Sequence, residues 1–172
     1  MNPETANLPR QLYTSAAVRE LDRLIIDEHG VPGLVLMRRA AQACVAECQR
    51  RFGAASYTVF CGSGNNAGDG YLIAGLFAQR GTLVQVVAVG DTAKLGPDAK
   101  QALGFCQEAG VEPEPWTDAC EVTGEVIVDA MLGIGAVGGP RGAFAAAIDL
   151  INSLARPVLA VDVPSGLDAD RG

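Results

Sequence analysis

The fold is decided by the stretch "YTVFCGSGNNAGDGYLIAGLFAQRGTLVQVVAVG", residues 57–90. It begins and ends with short, strongly apolar runs, residues 57–62 and 83–90, and a helical pattern over residues 68–80 separates them. Strands that alternate with helices in this way predict a βαβ unit with parallel strands. Strands that are apolar throughout are typical of a parallel sheet that helices cover on both faces.

The same alternation continues on both sides of this stretch. Helical patterns cover residues 15–30, 34–53, 97–109 and 141–155, and further apolar runs cover residues 125–130 and 156–164. Residues 111–116 are one more candidate strand, which prolines interrupt. We therefore predict one domain over residues 1–172 with an α/β fold, a three-layer α/β/α sandwich around a Rossmann-like, doubly wound, mostly parallel sheet.

Length and composition are those of a globular protein. The 172 residues are 49% apolar and 19% charged, and the formal net charge is −7. No run approaches the roughly 18 consecutive apolar residues of a membrane helix, and the N-terminus lacks the charged-then-apolar layout of a signal peptide. A negative net charge disfavours binding to nucleic acid and to membrane surfaces, which needs a basic surface. We therefore expect a cytoplasmic protein that binds neither.

Three predicted strands end in segments rich in glycine and carboxylates. These segments are "GSGNNAGDG" (62–70), "VDAMLGIGAVGGPRG" (128–142) and "VDVPSGLDADRG" (161–172). Ligands of open α/β sheets bind beyond the carboxyl ends of the strands, so we expect the three segments to meet at one site. In the first segment, Gly62, Gly64, Gly68 and Gly70 are expected to permit tight turns and close backbone approach, and the amides of the following helix are expected to bind an anion.

The carboxylates of this predicted site require compensation. Asp69, Asp129 and Asp162 each lie in one of the three segments, and burying unpaired charge is costly. A cation, a ligand hydroxyl or a protonated carboxyl is therefore implied. The oxygen ligands of Asn66, Asp129 and Ser165 suit a hard cation better than zinc or copper.

Simpler explanations exist for each feature. Residues 62–67 fit the dinucleotide fingerprint G-x-G-x-x-(G/A), with Asp91 as a candidate ribose ligand, which would suit an NAD-dependent dehydrogenase. Asp69 fits the first turn of a helix, and Asp162 and Ser165 fit turns. The dehydrogenase is disfavoured by Asp69 and by the lack of a plausible histidine or lysine acid in the C-terminal half, where Lys94 and Lys100 are the only lysines. The combination of carboxylates at three strand ends favours a functional site.

At this point the residues become recognisable as a family. "GSGNNAGDGYLIA", "VDAMLGIG" and "VDVPSGLDADRG", in this order, resemble the N-terminal domain of the YjeF family, the NAD(P)H-hydrate epimerases. "LDRLIIDEHGVPGLVLMRRAA", residues 21–41, is similar to the two leading helices of that family, and the resemblance extends over residues 12–172. Family domains normally continue with further strands, so the resemblance also implies a chain shortened at its C-terminus.

The resemblance implies an activity and its partners. Family members interconvert the R and S forms of hydrated NADH and NADPH (NADHX and NADPHX), which carry a hydroxyl at C6 of the nicotinamide ring. A dehydratase then repairs the hydrated nucleotide, and in bacteria it is often fused C-terminally, although no such domain is present in this sequence. The family commonly forms homodimers, for which Leu34, Met37 and Ala41 offer apolar surface unless they belong to the core. Versions of the domain also serve as non-catalytic interaction modules in an RNA-decapping scaffold, which remains the alternative.

The resemblance also assigns roles to residues. The substrate contacts it implies are Asn65, Asn66, Ala67, Gly68, Asp69, Gly133, Ile134, Gly135, Ala136, Val137, Gly138, Gly139 and Asp162. The potassium (K+) ligands it implies are Asn66, Asp129 and Ser165. Ala67 stands where the family usually has glycine, and Ile134 stands where threonine is common. We hypothesise that Asp162, expected to be buried in the crevice, is the catalytic acid and base, and that Asp69 is the second candidate.

Overall fold

The computed structural model describes residues 13–172. In this part of the chain the helices are α1 (Ser15–Asp27), α2 (Gly33–Phe52), α3 (Asn65–Gln79), α4 (Pro97–Glu108) and α5 (Ala143–Ser153). The strands are β1 (Tyr57–Cys61), β2 (Val84–Ala88), β3 (Glu114–Pro115), β4 (Val126–Ala130) and β5 (Val158–Ala160). A single-turn 3-10 helix, Thr92–Lys94, follows β2. The predicted order of helices and strands is confirmed, including the candidate strand that contains prolines.

The strands form one sheet in the order β3-β2-β1-β4-β5, and every pair is parallel. The order reverses direction between β1 and β4, the position at which open α/β sheets bind ligands. Cys61, the last residue of β1, pairs with Ala130, the last residue of β4. The segments that leave these two strands therefore begin side by side.

Helices cover both faces of the sheet, as predicted. On one face, residues of α2, α3 and α4 pack with Tyr57, Val59 and Val128 in the larger core cluster. On the other face, α5 packs against Phe60 and Ile127 in a smaller cluster. Alternate residues of the same strand thus enter different clusters, because successive side chains point to opposite faces of a sheet.

Helix α3 begins at Asn65, three residues before the predicted start at residue 68. Gly68 and Gly70 therefore lie within the helix, so the expectation of tight turns was wrong for them, whereas the expectation of close approach was right. They permit close packing instead: a Cβ on Gly70 would lie 2.6 Å from the Ala130 Cβ and 2.8 Å from the Cys61 Sγ. Ala67 adopts ordinary helical geometry, so the methyl group in place of the usual glycine causes no backbone strain there.

The edge strands are shorter than the apolar patterns suggested. β5 spans three residues of the predicted 156–164, and its Val158 is 45% exposed. β3 has two residues, both exposed. An edge strand has a neighbour on one side only, so its flanking residues lack partners that would extend the ladder.

Helix α2 is the longest helix, with 20 residues. Met37 and Ala41 are 7% and 0% exposed and belong to the core of this chain, with Leu34 packed against them. Met37 and Ala41 therefore belong to the core and are too buried for a dimer interface, whereas Leu34 is partly exposed. Among residues 13–172, no helix combines the length and the apolar character needed to cross a membrane.

Candidate active site

Two cavities adjoin each other at the carboxyl ends of the strands. The larger cavity measures about 580 Å³ and the smaller cavity about 390 Å³. Both are lined by Arg19, Leu132, Gly133, Ile134 and Ala136. The loop that follows β4 thus forms a shared wall between two compartments.

The N-terminus of α3 opens into the larger cavity. Its N-cap, Gly64, has no side chain to accept a hydrogen bond from the first turn. Ser63, Gly64, Asn65 and Asn66 all line the larger cavity. The free amides and the helix dipole make this end of α3 suited to an anion such as phosphate.

Asp69 lies one turn further along α3 and faces the same cavity. Its Oδ1 atom is buried and has no hydrogen-bond partner among the described residues. Burial, and then the negative charges of Asp162 and Asp22, raise the pKa of this carboxyl from 3.8 to about 7. Asp69 is therefore a carboxyl that can both donate and accept a proton near neutral pH.

Asp162 also lines the larger cavity. It lies two residues beyond the end of the edge strand β5, whereas Asp69 lies on the helix that follows the central strand β1. The Asp162 side chain is exposed, so the expectation that it is buried was wrong. The reason is the short edge strand before it, which has no further element beside it in the described structure. The Asp162 carboxylate accepts a hydrogen bond of 2.8 Å from the Ile134 amide, and a Cβ on Gly133 would lie 2.5 Å from its Oδ2 atom.

Asp129 and Ser165 join the end of β4 to the segment after β5. The Asp129 carboxylate is buried and accepts bonds from the Ser165 amide (2.8 Å) and the Ser165 hydroxyl (2.6 Å). The Met131 amide donates a further bond of 3.2 Å to it, and the Leu132 amide donates to the Ser165 Oγ atom at 2.9 Å. Asp129 and Ser165 therefore lie in direct contact, as predicted.

Asn66, the third predicted cation ligand, lies in the wall of the larger cavity. Both polar atoms of its side chain are buried without a hydrogen-bond partner among residues 13–172. A Cβ on Gly133 would lie 3.5 Å from the Asn66 Cβ, so Asn66 and Asp162 flank that glycine. An unpartnered amide oxygen and a carboxylate–hydroxyl pair are oxygen donors of the kind that hard cations take. The donor types therefore suit a hard cation, although Asp129 and Ser165 lie outside the lining of the larger cavity, which Asn66 enters.

The thirteen predicted substrate contacts fall into three places. Those that line the larger cavity are Asn65, Asn66, Asp69, Gly133, Ile134, Gly135, Ala136 and Asp162. Val137, Gly138 and Gly139 line the smaller cavity, where Val137 is 99% exposed. Ala67 and Gly68 are buried, and Gly68 faces Met37 and Ala99. Their part in substrate binding, like that of the others, stays a prediction.

Helix α1 forms a wall of the site that the sequence did not indicate. Its first residue, Ser15, donates from its amide and its hydroxyl to the Asp170 carboxylate, at 2.7 and 3.1 Å. Arg19 donates from Nη1 to the Ile134 carbonyl at 3.1 Å, and Val18, Arg19 and Asp22 line the larger cavity. The amphipathic pattern of α1 predicts a packed helix, and no local motif marks its contact with distant loops.

Asp91, the candidate ribose ligand of a dehydrogenase, lies outside the lining of both cavities. Its carboxylate accepts a hydrogen bond of 3.0 Å from the Ala93 amide and so caps the 3-10 helix after β2. This arrangement gives Asp91 a local structural role and does not support the dehydrogenase interpretation.

Known proteins resemble this chain over most of its length. The family model described as YjeF-related protein N-terminus matches residues 33–172. The NAD(P)H-hydrate epimerase of Limosilactobacillus fermentum is 34% identical, over 96% of this chain and 79% of that protein. The bifunctional NAD(P)H-hydrate repair enzyme Nnr of Coxiella burnetii is 38% identical, over 94% of this chain. The chain spans 33% of the length of that bifunctional relative.

The fold has a solved counterpart. The crystal structure of the yeast protein ynu0 superposes with a TM-score of 0.83, at 22% sequence identity, and the match covers 94% of this chain and 74% of the yeast chain. This likeness concerns the fold, whereas the family model and the relatives above 30% identity concern the sequence. The chain belongs to the family of YjeF-related protein N-terminal domains.

Proposed function

We propose that this chain interconverts the R and S forms of hydrated NADH and NADPH at C6 of the nicotinamide ring. The observation that carries the proposal is Asp69, a half-buried carboxyl with a buried Oδ1 atom and a pKa of about 7, in a cavity beside an uncapped helix N-terminus. Relatives named NAD(P)H-hydrate epimerase, at 34–37% identity, support the same conclusion.

The cavity supplies separate places for the parts of a dinucleotide. The amides at the start of α3 receive phosphate oxygens, because the dipole of the helix favours negative charge at this end. The hydrated nicotinamide ring lies beside Asp69, further along the same helix. The loop at residues 133–139, which separates the two cavities, contacts the nucleotide between its two halves.

The chemistry needs one group that gives and takes a proton. The protonated Asp69 carboxyl donates its proton to the C6 hydroxyl, and the lone pair of the ring nitrogen expels that hydroxyl as water. A planar iminium ion remains, and a water molecule adds to C6 from the opposite face. The carboxylate of Asp69 takes up the proton that the added water releases, so the group returns to its starting state.

The surroundings of the two candidate carboxylates favour Asp69 over Asp162 as the acid and base. Asp69 is half-buried, its Oδ1 atom is buried without a partner among residues 13–172, and its pKa lies at about 7. Asp162 is exposed and its carboxylate accepts the Ile134 amide, so it positions the loop after β4. The negative charge of Asp162 also helps to raise the pKa of Asp69.

We propose that K+ is held by Asn66, Asp129 and Ser165. The buried, unpartnered Asn66 amide and the buried Asp129 carboxylate support this donor set. When bound, the ion offsets the carboxylate charge beside the phosphates. We expect K+ to raise the melting temperature of the wild-type protein more than sodium or tetramethylammonium does, and Asp129→Asn to remove the difference. Equal melting temperatures of the wild-type protein in the three cations would contradict the proposed site.

We also propose a homodimer, with apolar residues on α1 and α2 at its interface. Leu21 is 45% exposed, and Ile26 and Val35 are each 38% exposed. Light scattering at tens of micromolar, roughly the range in which an interface of standard size holds, is expected to give twice the mass of the chain. A monomer at that concentration would contradict the proposal. The dehydratase that uses the product is its functional partner, on the same polypeptide or on another.

The proposed function is tested by following the S to R ratio of hydrated NADPH on a chiral or diastereomer-resolving column. With the protein present, an S-enriched sample is expected to reach the equilibrium ratio much faster than by the spontaneous reaction, which is measured in parallel. Binding of the hydrate without any change in that rate would assign the chain to the non-catalytic modules of the same fold.

A further inference from the structure

We propose that Arg19 binds the diphosphate of the substrate and that this diphosphate lies where the two cavities meet. The inference rests on the proposed function, since it concerns the same dinucleotide, but it names a binding residue outside the three glycine-rich segments. Arg19 lies on α1, which is separated from those segments by at least one helix in sequence.

Arg19 holds a defined position between the cavities. It lines both of them, and its Nη1 atom donates to the carbonyl of Ile134, which also lines both. A dinucleotide has a nucleoside at each end and the diphosphate in the middle. If its two halves occupy the two cavities, the diphosphate lies at their boundary, beside this guanidinium.

The charge around the cavities calls for a cation at that place. The carboxylates that line them belong to Asp22, Asp69, Asp162, Asp168 and Asp170, and Arg19 is the one cationic side chain among the described lining residues. A diphosphate adds two further negative charges. The N-terminus of α3 offsets only about half an elementary charge, so binding requires a further positive group.

The guanidinium of Arg19 retains most of its hydrogen-bonding capacity. It has five N–H donors, of which one hydrogen bond, to Ile134, is made within residues 13–172. No ion pair in this part of the chain includes Arg19, although Asp22 lies one turn along the same helix. By contrast, Arg23 on the same helix pairs with Glu20 and Asp27. Arg19 is thus a positioned arginine whose remaining donors match the oxygens of a phosphate.

The test compares Arg19→Gln with the matched control Arg23→Gln, which removes the same charge from the same helix outside both cavities. Binding is measured by calorimetry with two probes, ADP-ribose, which carries a diphosphate, and nicotinamide riboside, which carries none. We expect Arg19→Gln to weaken ADP-ribose binding on the order of ten- to hundredfold, the loss typical of charge-assisted hydrogen bonds. The affinity of Arg19→Gln for ADP-ribose should also depend less on salt concentration than the wild-type affinity does. Riboside binding by both variants, and ADP-ribose binding by Arg23→Gln, should stay at the wild-type level.

Two results would overturn the inference. One is equal ADP-ribose affinity in the two variants. The other is an equal loss for both probes in Arg19→Gln, which would mean that Arg19 only holds the Ile134 loop in place. The proposed function fails separately: an Arg19-dependent affinity for ADP-ribose in a protein that leaves the S to R ratio unchanged would keep the inference and refute the epimerase.

Discussion

Asp69 and Asp162 reach the same cavity from two regions of the molecule that are packed very differently. Ten of the fifteen residues of α3, the helix of Asp69, are buried, whereas β5, the strand before Asp162, has no buried residue. The Asp69 carboxyl is therefore partly withdrawn from water, with its Oδ1 atom buried, whereas the Asp162 carboxylate is solvated and accepts a hydrogen bond from a backbone amide. The packing of the supporting element, and not the residue type, therefore decides which carboxyl can carry a proton at neutral pH.

The largest expected effect is a difference in epimerisation rate between variants of the two carboxyls. Asp69→Asn is expected to lower the epimerisation rate by ~10²–10⁴-fold, because an amide keeps the shape but does not exchange the proton. Asp162→Asn keeps an oxygen that accepts the Ile134 amide and is expected to retain most of the activity. Rates are measured as the approach of the S to R ratio to equilibrium, after subtraction of the spontaneous rate. A larger loss in Asp162→Asn would reverse the two roles.

The second prediction uses stability and needs no substrate. Because folding raises the pKa of Asp69 from 3.8 to about 7, the native state binds more protons than the unfolded state between these pH values. The free energy of unfolding that this group contributes is therefore fully present below about pH 4 and is lost as the pH rises through 7. Asp69→Asn should melt several degrees above the wild type at pH 8 and show a flatter pH dependence of its melting temperature. The same slope in both proteins would mean that Asp69 is not desolvated.

The smallest expected effect tests the packing that holds α3 in place. Gly70→Ala introduces a Cβ 2.6 Å from the Ala130 Cβ and 2.8 Å from the Cys61 Sγ, so helix and strands must move apart. We expect a loss of about 1–3 kcal/mol in the free energy of unfolding, as for other overpacked cores. Gly135→Ala is the matched control, since nothing lies within 4 Å of its Cβ position. Denaturant unfolding that ranks the two variants equally would contradict the close packing of α3.

The contrast between the buried centre and the exposed edge of the sheet also explains how much of the fold could be predicted from the sequence. The order of strands and helices could be predicted from hydrophobic periodicity. The central strands β1 and β4 are buried at every residue, so each appears in the sequence as a continuous apolar run. Hydrophobic periodicity misplaced the start of α3, since glycines used for packing and glycines used for turns look alike in a sequence. The periodicity also overestimated the length of β5, because the length of an edge strand depends on the strand beside it.

Within the site, the strand ends were predictable and their environments were not. The topology of an open α/β sheet brings Asp69, Asp129 and Asp162 to one end, and the contact of Asp129 with Ser165 followed from it. The partial burial of Asp69 and the exposure of Asp162 depend on which elements pack around them. The contact of Arg19 with Ile134 joins residues 115 positions apart, and no local pattern encodes it.

The most direct test of the central claim, that Asp69 is the acid and base because of its surroundings, is the pH dependence of epimerisation in the wild type and in Asp162→Asn. In the wild type the enzymatic rate should fall above an apparent pKa of about 7, as the Asp69 carboxyl loses its proton. In Asp162→Asn the same inflection should move to lower pH, because one of the negative charges that raise the pKa of Asp69 is gone. A profile with no ionisation near pH 7, or an inflection at the same pH in both proteins, would contradict the account.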